Sequence, residues 1–487
     1  MRVSSTQMIG RYQKQLNDSY EDQAKLMEQS DGSKLHRPSD DSVNYSKFLR
    51  YQNTDTENDQ YQSNVKNGIS WMKTADAAMV NMKDILTTLN EKTIQAATDT
   101  NGTSDIQAIG KEVLAKVQEL VSLGNTQQGD RYMFAGQSDL VQPFTISADK
   151  QSRGLAKTLD DAQVNFFSTD ADGDGNMTQM LQLTGSDGKT YYMSTISGAV
   201  YSQSFMDDGY KSVIASGRES KKVDTKLVYD PNDSTKVIGA EKGEDALGII
   251  DGWASGARNV ADYFRSNGVV LFNPDEELDP DKTYDEYRTE GKYPPGPGVI
   301  KVTDENGEEQ TIKLKFAAIE QYVVEYNGDN KKISMVKRNG ATDPTADTVN
   351  VTGQMLFGSD IFDNTRSGNQ VNKNPSGTAA LNDMLMLAAK MEAGDARWLS
   401  SDGITVSDKA HYQVIEAETT AAARQNVYDS VSTMLDKQNE TITEDISNCS
   451  DADVARLAID LMTMQTIYNM SLSVGSRILP QSLADYL

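Results

Sequence analysis

Proline placement most constrains what this 487-residue chain can become. Nine of its eleven prolines fall between Pro143 and Pro375, leaving only Pro38 before that stretch and Pro480 after it. Inside a helix, proline removes a backbone hydrogen bond and clashes with the preceding turn, at a cost of about 3 kcal/mol or more. The two flanks are therefore free to form long helices, and the middle is not.

Hydrophobic spacing agrees with that division. In the first flank Val65, Gly68, Met72, Ala75, Met79, Met82, Leu86, Leu89, Thr93 and Ala96 alternate at three and four residues, a heptad seam that buries one stripe against another helix. Before it lies an amphipathic stretch with Ile9, Tyr12, Leu16, Tyr20, Gln23 and Met27, ending near Gly32. After it, Ser104 is the expected cap of a third helix carrying Ile106, Ile109, Val113, Val117 and Leu120, with Asp105 at the positive end of its dipole. The last flank mirrors the first. Leu381, Met384, Leu385, Ala388 and Met391 mark one helix, and a longer one runs from about Lys409 to Ser447. After a break at Asn448–Asp451, a second seam of Val454, Leu457, Leu461, Met464, Tyr468, Ser471, Gly475 and Ile478 follows, capped by Asp451 or Ser450.

The middle changes period. Tyr191–Met193, Val299–Val302, Thr311–Leu314 and Tyr322–Tyr326 are β-favouring runs, separated by the turn pairs Asp187-Gly188, Asn306-Gly307 and Asn327-Gly328, which supply the positive φ of tight hairpins. One helix is expected around Glu244 to Ser266, and Tyr293–Gly298, with three prolines, reads as a loop or joint. The predicted fold is mainly α with a β-rich insertion. Its core is a discontinuous antiparallel helical coiled coil built from both chain ends, in an elongated multidomain chain. The expected parts are terminal coiled-coil segments at 1–40 and 450–487, a helical rod from 41–144 and 376–449, and a β-rich insertion at 145–375.

The chemistry available is narrow. With 72 acidic against 47 basic side chains the net charge is −25, which repels phosphate backbones and anionic lipid, so neither nucleic acid nor a membrane is an expected partner. One cysteine, Cys449, and two histidines, His36 and His411, leave no material for disulfides, a multi-ligand zinc site or a histidine-dependent triad, and the chain is not expected to be an enzyme. The opening residues lack the apolar h-region of a cleaved signal, and no stretch approaches ~18 consecutive apolar residues. The chain is therefore expected either to remain in the cytoplasm or to be exported on an uncleaved, amphipathic N-terminus. No cofactor is expected, with one possible exception. Asp170, Asp172 and Asp174, followed by Gly175, match the opening of a calcium loop, although the twelfth position is Leu181 rather than a bidentate glutamate. An acidic turn between strands is the alternative reading.

Two further features point to packing rather than chemistry. Arg37-Pro38-Ser39-Asp40-Asp41 reads as a helix start, in which proline fixes φ and the serine and aspartates satisfy free N–H groups. The apolar seams also run almost to both chain ends. Met8, Ile9 and Leu16 on one side and Leu457, Leu461, Met464, Tyr468 and Ile478 on the other are candidate assembly-interface residues, on segments expected to stay disordered until a neighbouring molecule covers them.

These residues carry a resemblance. Met1-Arg2-Val3-Ser4, Gly32 to Asp41, and Gly129-Asp130-Arg131-Tyr132-Met133-Phe134-Ala135-Gly136, together with Ala421 to Leu487, resemble the bacterial flagellin-like family, and within it the hook-filament junction (hook-associated) proteins. The motif residues are Arg37, Pro38, Ser39, Asp40, Asp41, Arg131, Tyr132, Phe134 and Gly136. The resemblance covers about residues 1–144 and 376–487. It implies a structural role in the flagellum, with the terminal helices lining a tube and the insertion projecting outward. It also implies type III export without a cleaved signal. The implied partners are other copies in a helical ring, the hook-side junction protein, flagellin, and an export chaperone over Val454 to Ile478. A filament-forming flagellin is the alternative within the family, and a calcium-dependent adhesive module the alternative outside it.

Overall fold

The proline-poor flanks are helical in the computed structural model, which describes residues 5–98, 101–158, 179–194, 199–206, 226–230, 233–241, 246–249, 298–303, 307–333, 348–360, 362, 366–367, 370–371 and 377–478. The principal helices are α1 (Ser5–Glu28), α2 (Ser42–Ala96), α3 (Thr103–Gly124), α4 (Gly353–Phe357), α5 (Ala379–Glu392), α6 (Ile404–Ser450) and α7 (Val454–Ile478). Between α3 and α5 the chain is β-rich, so the fold is mainly α with a β insertion, as predicted. Two compact units result, one from Met1–Ile69 with Val427–Leu487, the other from Ser70–Asn426.

In the first unit the two chain ends pack antiparallel. Tyr12 Oη donates to the Ser471 carbonyl at 2.9 Å, and the rings of Tyr20 and Tyr468 lie 6.4 Å apart. The turns beyond these helices zip together. Ser33 bridges Asp451 as an isolated antiparallel pair, Lys34 N donates to Ser450 O at 2.6 Å, and Ala452 N donates to Gly32 O at 2.8 Å. Gly32 turns the chain with φ +96°, a conformation that side chains with a Cβ rarely adopt. Where α2 meets α6, Asn58 Nδ2 donates to Leu435 O at 3.1 Å, and Val65, Leu435 and Ile442 are buried along the same two helices.

The second unit holds the main core. Met79, Met82, Leu86 and Leu89 of α2, Val113, Val117 and Leu120 of α3, and Leu381, Met384, Leu385 and Leu387 of α5 are nearly or fully enclosed and form one cluster with Val414 and Ala417 of α6. Each such side chain contributes about 1.5–3 kcal/mol by burial. Close approach of α3 to α5 depends on Gly110, where an added Cβ would sit 2.8 Å from Met391 Cβ. Lys83 Nζ bonds both Glu418 carboxylate oxygens at 2.7 and 2.8 Å, and Asn90 Nδ2 bonds Asp408 at 2.6 Å, clasping α2 to α6.

Strands in chain order are β1 (Gln127–Gln128), β2 (Arg131–Tyr132), β3 (Phe144–Ile146), β4 (Gln151–Gly154), β5 (Ala156–Thr158), β6 (Gln179–Gly185), β7 (Thr190–Ser194), β8 (Ala199–Ser202), β9 (Lys226–Asp230), β10 (Asp233–Glu241), β11 (Gly248–Ile249), β12 (Gly298–Thr303), β13 (Glu309–Phe316), β14 (Ala318–Gln321), β15 (Val324–Tyr326), β16 (Arg366–Ser367) and β17 (Gln370–Val371). A seven-stranded antiparallel sheet runs β11-β8-β7-β6-β13-β12, with β5 added along the half of β6 that β13 leaves open. Gly188 and Gly307 take positive φ in its hairpin turns, as their Asp-Gly and Asn-Gly pairs predict.

Several local expectations are corrected. Asn327-Gly328 does not close a hairpin. Asn330 takes the positive φ there, and Gly328 is needed because any Cβ would run into the Tyr326 ring. Most of the helix expected over 244–266 lies outside the described residues, but Gly248–Ile249 within it pairs with β8 as a strand. The cap of α3 is Gly102 rather than Ser104, although Asp105 accepts from Gly102 N at 3.2 Å as its position suggests. The cap of α7 is Asp453, which accepts from Ala455 N and Arg456 N at 3.1 Å. Asp451 is instead engaged by the hydroxyls of Ser447 and Ser450.

Candidate assembly interface

On α7, residues Leu457, Leu461, Met464, Tyr468, Ser471 and Gly475 recur at three and four positions and lie on one side. All are buried or partly buried, and that side faces α1. Gly475 sits where a Cβ would overlap the Tyr12 hydroxyl, so the two backbones approach there as closely as the phenol allows. The facing stripe of α1 is Tyr12, Leu16, Ser19, Gln23 and Leu26, each partly buried. Tyr20 and Met27, expected in this stripe, are instead 62% and 66% exposed, as is Val454 at 66% on α7. Backbones of Met8, Ile9 and Ile478 lie on these helices, but their side chains fall outside the described residues.

Periodic reading missed the opposite side of α7. Ile459, Met462, Ile467, Met470 and Val474 are all exposed, Met462 to 71%. The helix is thus apolar on two faces, with α1 covering one. The signal in the sequence was apolar residues nearly all round the helix, the mark of a segment buried on several sides.

The Arg-Pro-Ser-Asp-Asp turn opens α2 as predicted, but its aspartates rather than Ser39 take up the backbone N–H groups, with a division of labour between them. Asp41 accepts from Val43 N and Asn44 N at 3.1 and 3.0 Å and caps the helix. Asp40 folds back to accept from His36 N and Arg37 N at 3.0 and 2.8 Å. These backbone bonds hold both carboxyls below the usual aspartate range. Pro38 and Ser39 stand exposed between them. Arg37 pairs with Glu28 at 2.5 Å, and His36 Nε2 lies 2.9 Å from Asp31, which raises the imidazole above its ordinary value. His36 is therefore a constraint on the turn.

The second motif is structural too. Phe134 is fully buried, and its carbonyl accepts from Tyr326 Oη at 2.8 Å. Gly136 adopts φ +74° against the Asp329 carboxylate, where any Cβ would collide. Arg131 pairs with Asp139 at 2.9 Å, and Tyr132 N donates to Asp139 O at 2.7 Å, folding back the loop whose tip exposes Leu140 and Val141.

Asp170, Asp172 and Asp174 lie outside the described residues, and among the described residues no cluster of three or more metal-ligating side chains occurs. No helix among them is long and apolar enough to cross a membrane. Sequence reading also missed a buried ion pair. Arg153 Nη2 and Asp360 Oδ2 are 2.5 Å apart, with both side chains about 95% enclosed. These residues stand 207 positions apart, beyond the reach of any spacing rule.

Residues 3–139 match the family described as the bacterial flagellin N-terminal helical region. No curated protein matches the chain. Among solved structures, similarity extends to FlgL of Xanthomonas campestris at 13% identity, over 82% of this chain and 99% of that one, with a TM-score of 0.32. The flagellar junction protein FlgL of Legionella pneumophila is 11% identical over 78% and 98% of the two chains, TM-score 0.31. Flagellar hook associated protein-3 of the same organism is 10% identical over 86% and 99%, TM-score 0.32. The stretch that runs from the amphipathic first helix through the Gly129–Gly136 motif is thus the part of this chain that is similar to the bacterial flagellin N-terminal helical region.

Proposed function

We propose that this chain is a structural subunit of the bacterial flagellum, an adaptor at the hook-filament junction that joins the hook-side junction protein to flagellin. The observation that carries the reading is the flagellin-type N-terminal helical region over residues 3–139. It stands in a chain whose two ends meet as α1 and α7 and whose α7 keeps a second apolar face exposed. Such a face suits heterologous, head-to-tail contacts, which propagate a helical array instead of closing a dimer. The role is mechanical and not catalytic. Of the motif residues that the resemblance singles out, Asp41 caps α2 while Phe134 and Gly136 pack in the core, and among the described residues none of them gathers into a set that could activate a nucleophile. Export through the flagellar type III apparatus and a chaperone over α7 belong to the same reading.

Deleting the gene tests it. Electron microscopy should show hooks without filaments, with unassembled flagellin in the medium. Hooks without filaments and without released flagellin would mean that the chain is itself the filament subunit. Intact filaments would overturn a flagellar role.

A further inference from the structure

Methionine is divided sharply by burial in this chain. Met79, Met82, Met384 and Met391 are fully enclosed in the helical core, whereas Met27, Met434, Met462 and Met470 are exposed among the described side chains, Met462 to 71% and Met470 to 63%. Met462 and Met470 also differ from the other two in their company. At about 100° per residue, Ile459, Met462, Ile467, Met470 and Val474 fall within an arc of about 140° on α7, with Met470 near its middle. This is the side of α7 that α1 leaves uncovered. Its isoleucines and valine are inert to mild oxidants, so the two thioethers are the groups through which the face can change polarity.

A thioether sulfur offers its lone pair to the electrophilic oxygen of a peroxide. Attack forms an S–O bond and breaks the O–O bond, and the proton of the attached hydroxyl passes to the departing oxygen, which leaves as water. Sulfur is oxidised to the sulfoxide and the peroxide is reduced. The sulfoxide oxygen is a strong acceptor, and burying it without a donor is costly. The threonines on this side supply no donor. The hydroxyls of Thr463 and Thr466 donate back to Ile459 O and Met462 O of their own helix, both at 2.8 Å.

We propose that Met462 and Met470 are an oxidation-sensitive pair: a peroxide that meets the unassembled chain converts them to sulfoxides, and the face of α7 that they share then resists burial against an apolar partner. The inference rests on the flagellar reading above, in which a neighbouring subunit covers that face. Met464, the α7 methionine on the side facing α1, is partly buried, so the change falls on the outer face and spares the packing of α7 on α1. Reduction of the sulfoxides restores the thioethers and with them the apolar face.

Mass spectrometry of peptides from the full-length monomer after treatment with hydrogen peroxide tests the chemistry. Sulfoxide should form at Met462 and Met470 about tenfold or more faster than at Met79, Met82, Met384 and Met391. Equal rates would overturn the proposal. Filament counts by electron microscopy test the consequence. In sublethal peroxide the strain with the unmodified chain should lose filaments, and the strain with Met462→Leu and Met470→Leu together should keep them. Met462→Gln with Met470→Gln, which places a polar amide where the sulfoxide would stand, should lower the count by about tenfold without any peroxide. Cys449, the chain's one thiol, is present in every strain, so its oxidation cannot separate them. No loss by the unmodified chain, equal loss by the leucine variant, or normal filaments with the glutamine variant would each overturn the pair. Normal filaments with the glutamine variant while Met470→Asp still blocks incorporation would remove the oxidation device alone, whereas intact filaments after deletion of the gene would remove the flagellar role itself.

Discussion

Tyr326 shows how much of the second unit hangs on single polar atoms. Its hydroxyl donates to Phe134 O at 2.8 Å and accepts from Gly353 N at 3.3 Å, so one group satisfies two otherwise buried backbone groups. Its ring centre lies 5.1 Å from that of Phe144, and both Gly328 and Gly353 are glycine where a Cβ would strike the ring. Burial pushes the phenol well above its usual pKa, so it remains a donor at any physiological pH. Tyr326→Phe keeps the ring and removes the bridge, leaving a carbonyl and an N–H without this partner. The expected loss is about 1–3 kcal/mol in urea unfolding of the second unit. Tyr322→Phe, at a partly buried ring nearby, should cost far less. Equal midpoints for the two variants would show that the hydroxyl does not bridge.

At the scale of elements, legibility followed the kind of physics involved. Every position of the α2 seam from Val65 to Ala96 is buried as its heptad predicts, because a long two-sided helix has one way to hide a continuous stripe. Caps were misplaced by two or three residues at α3 and α7. A cap is set by where the chain turns, and the turn before α7 is set by its bridge to Ser33, a contact between residues over four hundred positions apart. The seam of α1 was one step out of register at Tyr20 and Met27, since a seam with few apolar residues fits two neighbouring stripes almost equally well. The Arg153–Asp360 pair was invisible for the same reason as the caps: tertiary structure alone brings its members together.

The two faces of α7 make a prediction at this scale. Leu461→Asp falls in the stripe facing α1 and should unseat α1 from α7, releasing both helices to rapid amide exchange. Met470→Asp changes a side chain that is 63% exposed, so it should leave the monomer's melting temperature within about 1–2 °C. Under the proposed role it should still abolish incorporation into the flagellum. Normal incorporation of Met470→Asp would remove that face from the assembly.

For the molecule as a whole, the two units differ in how they are held. The second buries a continuous cluster drawn from α2, α3, α5 and α6, together with a sheet that has its own core around Leu183, Ile312 and Phe316. Described apolar side chains buried in the first are few and spread along its length: Leu35, Val65, Tyr428, Leu435, Ile442 and Leu457. Most of the α1–α7 contact is only half-buried, and paired helices with so little enclosed surface open at low free energy. Unfolding of the monomer should therefore occur in two stages, and calorimetric and van't Hoff enthalpies should disagree. Hydrogen exchange resolves the order. Amides of α1 and α7 should exchange first, and those of α3 and α5 last. Along α2 and α6, protection should step up on passing from the first unit into the second, near residues 69 and 427. Such an arrangement suits the proposed role of a subunit whose ends are completed by its neighbours, in which the surface left uncovered in the monomer would be the surface that assembly encloses. Protection of α1 and α7 equal to that of α3 and α5 in a confirmed monomer would mean that the ends are already complete, and the exposed face of α7 would then need another explanation.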